Sequence, residues 1–333
     1  MIDTIYFEEQ VADHPRTLAL FERFSQADRI PCNHYKEVFN PSGQNFRLQK
    51  KKPALILAQN SGKRVHPVPP TYGIGGKHNF YFSHMLNCLY DCRYCFLQGM
   101  YPSAHYLLFV NYEEFFEDIE KMAAQNPDEP SWFFSGYDCD SLALEKLTGF
   151  ARTALPFFAN HPLAHLELRT KSVATQILEK TTALPNVVTA FSFTPQEISD
   201  ALEKGVPSVK ARIQAMRRLA EKGWKLGVRL DPIIDCLDFD QRYRSLISDI
   251  FSEVPAESIH SVSLGPFRLP DPFFKRMEKL YPDEPLFAGN LDRRGRSVSY
   301  PQEVENQRIS SCKDYLLQHL SPEKLFLCQP VEE

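Results

Sequence analysis

Two rhythms of apolar residues run along the chain. Ile5-Tyr6-Phe7 reads as a short strand, and Leu18, Leu20, Phe21 and Phe24 follow Pro15 at helical spacing. A second short strand is expected over 34–39, an apolar run fills 54–58, and Asn79-Phe80-Tyr81-Phe82 reads as a strand. From there the rhythms alternate. Helices over 112–124, 141–154, 173–178, 208–222 and 241–251 separate strands over 132–134, 165–169, 187–193, 226–230 and 261–264. Counting 79–82, that makes six short apolar strands joined by amphipathic helices. They predict parallel βα units with right-handed crossovers, in an α/β fold that stops short of a full barrel: a partial (β/α)6 TIM-type barrel. The last fifty residues change character. Gly295 sits between basic and strand-like residues in 291–301, as in a β-hairpin, and 303–320 reads as a terminal helix. The expected organisation is a small N-terminal α/β extension (1–76), the barrel (77–282) and a C-terminal hairpin and helix packed on it (283–333).

At 333 residues, 43% hydrophobic and 24% charged, the composition is ordinary for a globular protein. The start has no basic region before an apolar run, and no stretch approaches the ~18 apolar residues of a membrane span. A soluble, cytoplasmic protein with no membrane partner is expected. The net charge of −4 argues against a generally basic nucleic-acid coat but leaves room for a local groove. Basic segments at 47–52, Lys63-Arg64 and 293–296 are candidate phosphate contacts, or simply solvated faces. The glycines of Tyr72-Gly73-Ile74-Gly75-Gly76 precede a strand rather than a helix, so they read as a connector and not a phosphate cradle.

Chemistry concentrates in Asn87-Cys88-Leu89-Tyr90-Asp91-Cys92-Arg93-Tyr94-Cys95-Phe96-Leu97-Gln98, where three of the eight cysteines are spaced Cys-x3-Cys-x2-Cys. Thiolates are natural ligands of iron–sulfur clusters, and the next cysteine is Cys139. Three ligands on a four-iron cube leave one iron open to a cofactor. A zinc site would present paired cysteines or cysteine with histidine, and the nearest histidines, His78 and His84, both precede the motif. A disulfide pair would suit a small secreted domain. The thiols Cys312 and Cys328 read as ordinary buried or exposed residues.

Barrel enzymes carry their reactive groups at the carboxyl ends of the strands. Those ends here hold Tyr137, Asp138, Cys139 and Asp140, then Lys171, Ser192, Arg229 and Asp231. Lys171 offers a cation for a carboxylate, Ser192 a hydroxyl, Asp140 and Asp231 acceptors, and Tyr94 an aromatic with a polar tip. Lys171 also reads as a helix-start cation, and Arg229 with Asp231 as a structural ion pair. Cys139 reads either as a small buried hydrophobe or as a hydrogen-atom donor with a weak S–H bond.

These residues resemble the spore photoproduct lyases, radical S-adenosylmethionine enzymes that repair a thymine dimer in DNA. The resemblance rests on Cys88-x3-Cys92-x-Tyr94-Cys95-Phe96-Leu97-Gln98, on Phe109-Val110-Asn111-Tyr112-Glu113-Glu114, on Thr170-Lys171 and Phe191-Ser192, on the basic hairpin at 293–300 and on Ile5-Tyr6-Phe7-Glu8. It implies a partial (β/α)6 barrel, a [4Fe–4S] cluster on Cys88, Cys92 and Cys95, and S-adenosylmethionine contacted by Tyr94, Lys171 and Ser192. It also implies a 5′-deoxyadenosyl radical that takes hydrogen from the lesion, and a protein cysteine that returns one. Damaged DNA and an electron donor such as flavodoxin or ferredoxin are the implied partners. Two positions depart from the family's pattern: its donor cysteine is replaced by Tyr137, with Cys139 two residues on, and the tyrosine after its last cluster cysteine is Phe96. The same radical chemistry on a modified nucleotide or a peptide, and a non-catalytic iron–sulfur protein that senses redox state or binds DNA, remain the other readings at this point.

Overall fold

Parallel strands can be joined only by crossovers, and a helix on one face is the compact way to make them. The computed structural model describes residues 2–69 and 71–328; Met1, Pro70 and residues 329–333 lie outside the described residues. Its main sheet holds seven parallel strands: His78–Phe82, Ser131–Ser135, Ala164–Thr170, Val187–Ser192, Lys225–Ile233, Ile259–Pro266 and Leu325–Leu327. They lie side by side in chain order and are called the first to seventh barrel strands below. Val65–Pro67 adds antiparallel to the first strand, and among the described residues the two ends of the sheet do not pair with each other, so the barrel is open there.

All six expected strands are present. The seventh, Leu325–Leu327, was not expected: three residues after a tight turn are too few to show a period. The crossover helices pack by their apolar faces. Tyr112–Ala124 buries Tyr112, Phe115, Phe116 and Ile119, an i, i+3, i+4, i+7 stripe. Val209–Glu221 begins where Ser208 Oγ accepts the backbone N–H of Ala211, at 3.2 Å.

Two expectations are corrected. The helix over 141–154 is broken at Gly149, whose φ of 58° is the left-handed region that ends a helix, giving Glu145–Thr148 and Phe150–Ala159. The Glu145 carboxylate accepts from the N–H groups of Ala151 and Arg152, at 2.8 and 3.0 Å, and so caps the second piece. The strand near 34–39 is instead a helical turn, Lys36–Phe39, which buries Phe39. The strand lies earlier, at Asp28–Cys32, on a sheet edge where Pro31 and charged side chains are tolerated. The helices Gln196–Leu202 and Asp271–Leu280 were not expected at all.

A second sheet orders Asp28–Cys32, Thr4–Glu8, Leu55–Ala58, Tyr106–Phe109 and Met85–Leu86. The sheets do not follow a chain boundary at residue 76. Val65–Pro67 joins the barrel, while Met85–Leu86 and Tyr106–Phe109 join the small sheet. Residues 87–105 are therefore suspended from two adjacent strands of the small sheet, beside the carboxyl ends of the barrel strands. The C-terminal hairpin forms as expected, Asp292–Arg294 against Ser297–Ser299 around Gly295, and Arg268–Pro270 adds a third strand.

Candidate active site

The cysteine loop is held by hydrogen bonds from outside it. Asn87, in the left-handed region at φ 70°, donates its side-chain amide to the carbonyls of Ser103 and His105, both at 2.8 Å. Lys50 Nζ donates to the carbonyls of Cys88 and Tyr90 at 2.9 and 3.0 Å. Asp91-Cys92 pairs antiparallel with Glu203-Lys204, and the Arg93 N–H donates to Leu202 at 2.8 Å. Cys88, Cys92 and Cys95 thereby line one cavity of about 670 Å³. Burial pushes all three thiols up, Cys88 to about 12, so coordination is what would hold them as thiolates. Among the described residues no three side chains converge tightly enough to grip a single ion. A cube bound at separate corners does not need that convergence, and three cysteines lining one cavity fit it.

Tyr94, Tyr137, Cys139, Asp140, Lys171, Ser192 and Asp231 border the same cavity, whereas Asp138 and Arg229 are not part of its lining. What arranges several of them is Glu203. Its buried carboxylate accepts from the Tyr94 hydroxyl, from Ser199 Oγ at 2.6 Å and from Arg212 at 2.8 Å. Lys171 Nζ stands 3.9 Å from it and 5.5 Å from the centre of the Tyr94 ring. Burial pushes the Glu203 carboxyl up, but the Lys171 and Arg212 cations and two hydroxyl donors outweigh it and hold it below its ordinary value. Arg212 also donates to the Ser192 carbonyl at 2.8 Å, which fixes the end of the fourth barrel strand.

Asp140 does something other than expected. Its oxygens accept from the N–H groups of Leu142, Ala143 and Lys171 and from Thr170 Oγ1, at 2.6–2.9 Å. Four donors fill a carboxylate, so Asp140 ties two strand ends together rather than presenting a free acceptor. The Arg229–Asp231 pair does not form. Arg229, fully buried, meets Glu167 at 2.6 Å, and Asp231 meets Arg268 at 3.3 Å.

Tyr137 and Cys139 part company at Gly136, where φ is 87° and the extended chain ends. Tyr137 is 45% exposed and packs on Tyr81 (4.6 Å between ring centres) and Phe96 (5.4 Å). Cys139 is buried at the inner wall, its thiol pushed well up by burial. Asp138 between them accepts from Ser83 and Tyr101.

The basic segments divide. Lys50, Arg64 and Arg294 are committed inside the protein, to the cysteine loop, to Glu114 and Asp118, and to Glu305. Lys52 pairs with Asp3 and Arg293 with Asp271, while Arg47, Lys51, Lys63 and Arg296 are exposed. Sequence reasoning missed Glu203, Arg212, Glu167 and Arg268, and offered Lys50 to a phosphate where the structure gives it to the cysteine loop. One signal was available: His165, Glu167 and Arg169 alternate with apolar residues along the third barrel strand, marking a polar barrel interior. Cys328, expected to be ordinary, is buried on the cavity wall after the unexpected seventh strand.

Comparison with known proteins agrees with this arrangement. The family model for spore photoproduct lyase matches residues 1–304. The spore photoproduct lyase of Geobacillus sp. is 22% identical over 303 residues, covering 89% of this chain and 86% of that protein. That of Bacillus subtilis is 23% identical over 298 residues, covering 87% and 85%. Among solved structures, a doubly substituted spore photoproduct lyase with bound AdoMet and dinucleoside spore photoproduct superposes with a TM-score of 0.84 at 19% identity, covering 99% of this chain and 98% of that one. A singly substituted spore photoproduct lyase gives 0.83 at 20% identity and the same coverage. With the fold, the cysteine loop and a match over nine-tenths of its length in agreement, the chain belongs to the spore photoproduct lyase family.

Proposed function

We propose that this protein is a radical S-adenosylmethionine lyase that starts the repair of a thymine photolesion in DNA. The observation that carries the reading is the convergence of Cys88, Cys92, Cys95, Tyr94, Lys171, Ser192 and Cys139 on one cavity at the carboxyl ends of the barrel strands. A family relative has been solved with AdoMet and dinucleoside spore photoproduct bound. When bound, a [4Fe–4S] cluster and S-adenosylmethionine supply a 5′-deoxyadenosyl radical by one-electron cleavage. The chain's own residues bind and orient. Cys88, Cys92 and Cys95 hold the cluster, Lys171 faces the methionine carboxylate, and Tyr94, Ser192 and Asp231 supply polar contacts. Tyr72, Tyr81 and Tyr137 line the cavity and offer faces on which bases stack. Arg293 and Arg296, exposed on the hairpin whose Ser297 lines the cavity, contact the DNA phosphates. Cys139, on the inner wall, returns a hydrogen atom to the product radical, and Tyr137 borders the lesion from the solvent side. The working compartment is a reducing cytoplasm, which suits eight unpaired cysteines.

The test compares Cys139→Ala with Tyr137→Phe in reconstituted protein supplied with S-adenosylmethionine and lesion. Cys139→Ala is expected to keep forming 5′-deoxyadenosine while clean thymine product falls at least tenfold. Unchanged product from Cys139→Ala, with loss in Tyr137→Phe, would move the donor role to the tyrosine.

A further inference from the structure

Charge is concentrated on one wall of the reaction cavity. Arg169 stands near the end of the third barrel strand, Asp231 in the fifth and Arg268 just after the sixth, and all three border the cavity. Each commits one polar edge to the protein. Arg169 Nε donates to Glu167 at 3.1 Å. Arg268 Nη1 donates to Asp231 Oδ1 at 3.3 Å, and its Nε donates to the Tyr72 hydroxyl at 3.0 Å. The other edge of each has no hydrogen-bond partner among the described residues: the two terminal nitrogens of Arg169, Oδ2 of Asp231 and Nη2 of Arg268. These edges are not sealed in, since the Arg169 side chain keeps 32% of its surface accessible where it borders the cavity. Asp231 lies within electrostatic reach of both guanidiniums. The backbone makes room for the pair at Gly265, where a Cβ would collide with the Asp231 carboxylate and stand 2.9 Å from Arg268 Nη1. The wall therefore presents donor, acceptor and donor, with the carboxylate between the two arginines.

We propose that Arg169, Asp231 and Arg268 read the imide edge of one thymine of the lesion, the guanidiniums donating to its two carbonyl oxygens and the carboxylate accepting from N3–H. The inference rests on the lesion reading above and names the partner of the Asp231 contact. A thymine edge carries acceptor, donor and acceptor, the complement of this wall. Two arginines could also take an anion, but an anion would face Asp231 between them, whereas the imide is neutral. The surroundings suit a base. Tyr72, one of the rings offered for stacking, adjoins the triad through its hydroxyl, and Arg268 pairs in register with Ser299 of the C-terminal hairpin. One small sheet thus brings the base contact and the phosphate contacts of Arg293 and Arg296 to the same mouth. Desolvated donors and acceptors also reject a mismatched edge strongly, because a wrong base leaves them unpaired.

The experiment titrates the reconstituted full chain, loaded with S-adenosylmethionine, with three dinucleosides: spore photoproduct and its two analogues methylated at N3 of one thymine or the other. One of the two analogues should bind at least about tenfold more weakly than the unmodified lesion. Asp231→Ala should bind that analogue and the lesion within about threefold of each other. Arg169→Met, which leaves the Asp231–Arg268 pair whole, should weaken the unmodified lesion at least about fivefold. A parent that binds both methylated analogues within twofold of the lesion would overturn the proposal and leave the arginines as phosphate contacts. So would full discrimination retained in Asp231→Ala, or an Arg169→Met variant within twofold of the parent. If the parent binds no lesion at all, the lesion reading fails instead, and thymidine against N3-methylthymidine at millimolar concentration still decides for or against the triad.

Discussion

Glu203 lies 109 residues from Tyr94 in the chain, yet its carboxylate joins Tyr94, Ser199 and Arg212 and faces Lys171. A buried cation without its partner is expensive, so Glu203→Ala should cost about 3–5 kcal/mol in urea unfolding and lower affinity for S-adenosylmethionine through Tyr94 and Lys171. A loss below about 1 kcal/mol would show that Arg212 finds another partner. A pH effect follows from His84, fully buried and stacked on Phe150 at 3.9 Å, its imidazole pushed down to about 3 by burial. The unfolded chain takes a proton near pH 6.5 while folded His84 refuses it, so more protons are bound unfolded and stability falls as pH drops below about 6.5. His260, held near 4 by burial and by Arg229, adds in the same direction. His84→Phe should remove about 2 kcal/mol of the stability difference between pH 7 and 5, read from urea midpoints. An unchanged difference would mean that folded His84 does take up the proton. At this scale the three clustered cysteines were legible because their spacing is local. Glu203 and Arg212 were not, because only the fold brings them to Tyr94.

At the scale of elements, the short helix Leu97–Met100 fixes the far end of the cysteine loop by lying against Asp271–Leu280. The approach is so close that a Cβ added at Gly99 would stand 2.5 Å from the Phe273 carbonyl oxygen and 2.8 Å from its Cα. Backbone cannot yield as a side-chain tip can. Gly99→Ala should therefore push the helix outward, costing about 1–3 kcal/mol and reducing the iron retained per chain after reconstitution. Iron content equal to the parent's would show that the loop keeps its place without this contact. Most helices and all six expected strands could be read from apolar periodicity. What escaped did so for definite reasons. Asp28–Cys32 is polar because it is an edge, Leu325–Leu327 is too short, and Gly149 breaks a helix whose pattern continues through it.

For the whole molecule, the alternation of strand and helix announced an open barrel, but not how the two sheets share the chain. Because Met85–Leu86 and Tyr106–Phe109 belong to the small sheet, the cysteine loop is carried by one sheet and faces the other. The cavity between the loop and the strand ends follows from that arrangement. Among the described residues no helix is long and apolar enough to cross a membrane. The central claim is that this architecture generates a radical and directs it at a DNA photolesion. The measurement that tests it most directly is anaerobic turnover of the reconstituted, dithionite-reduced protein with S-adenosylmethionine and an oligonucleotide carrying spore photoproduct, following 5′-deoxyadenosine and restored thymine by chromatography in one reaction. The account predicts that both accumulate and that neither forms in Cys92→Ala. 5′-Deoxyadenosine without thymine would contradict the assignment of the lesion, and the absence of both from cluster-loaded protein would contradict the radical chemistry itself.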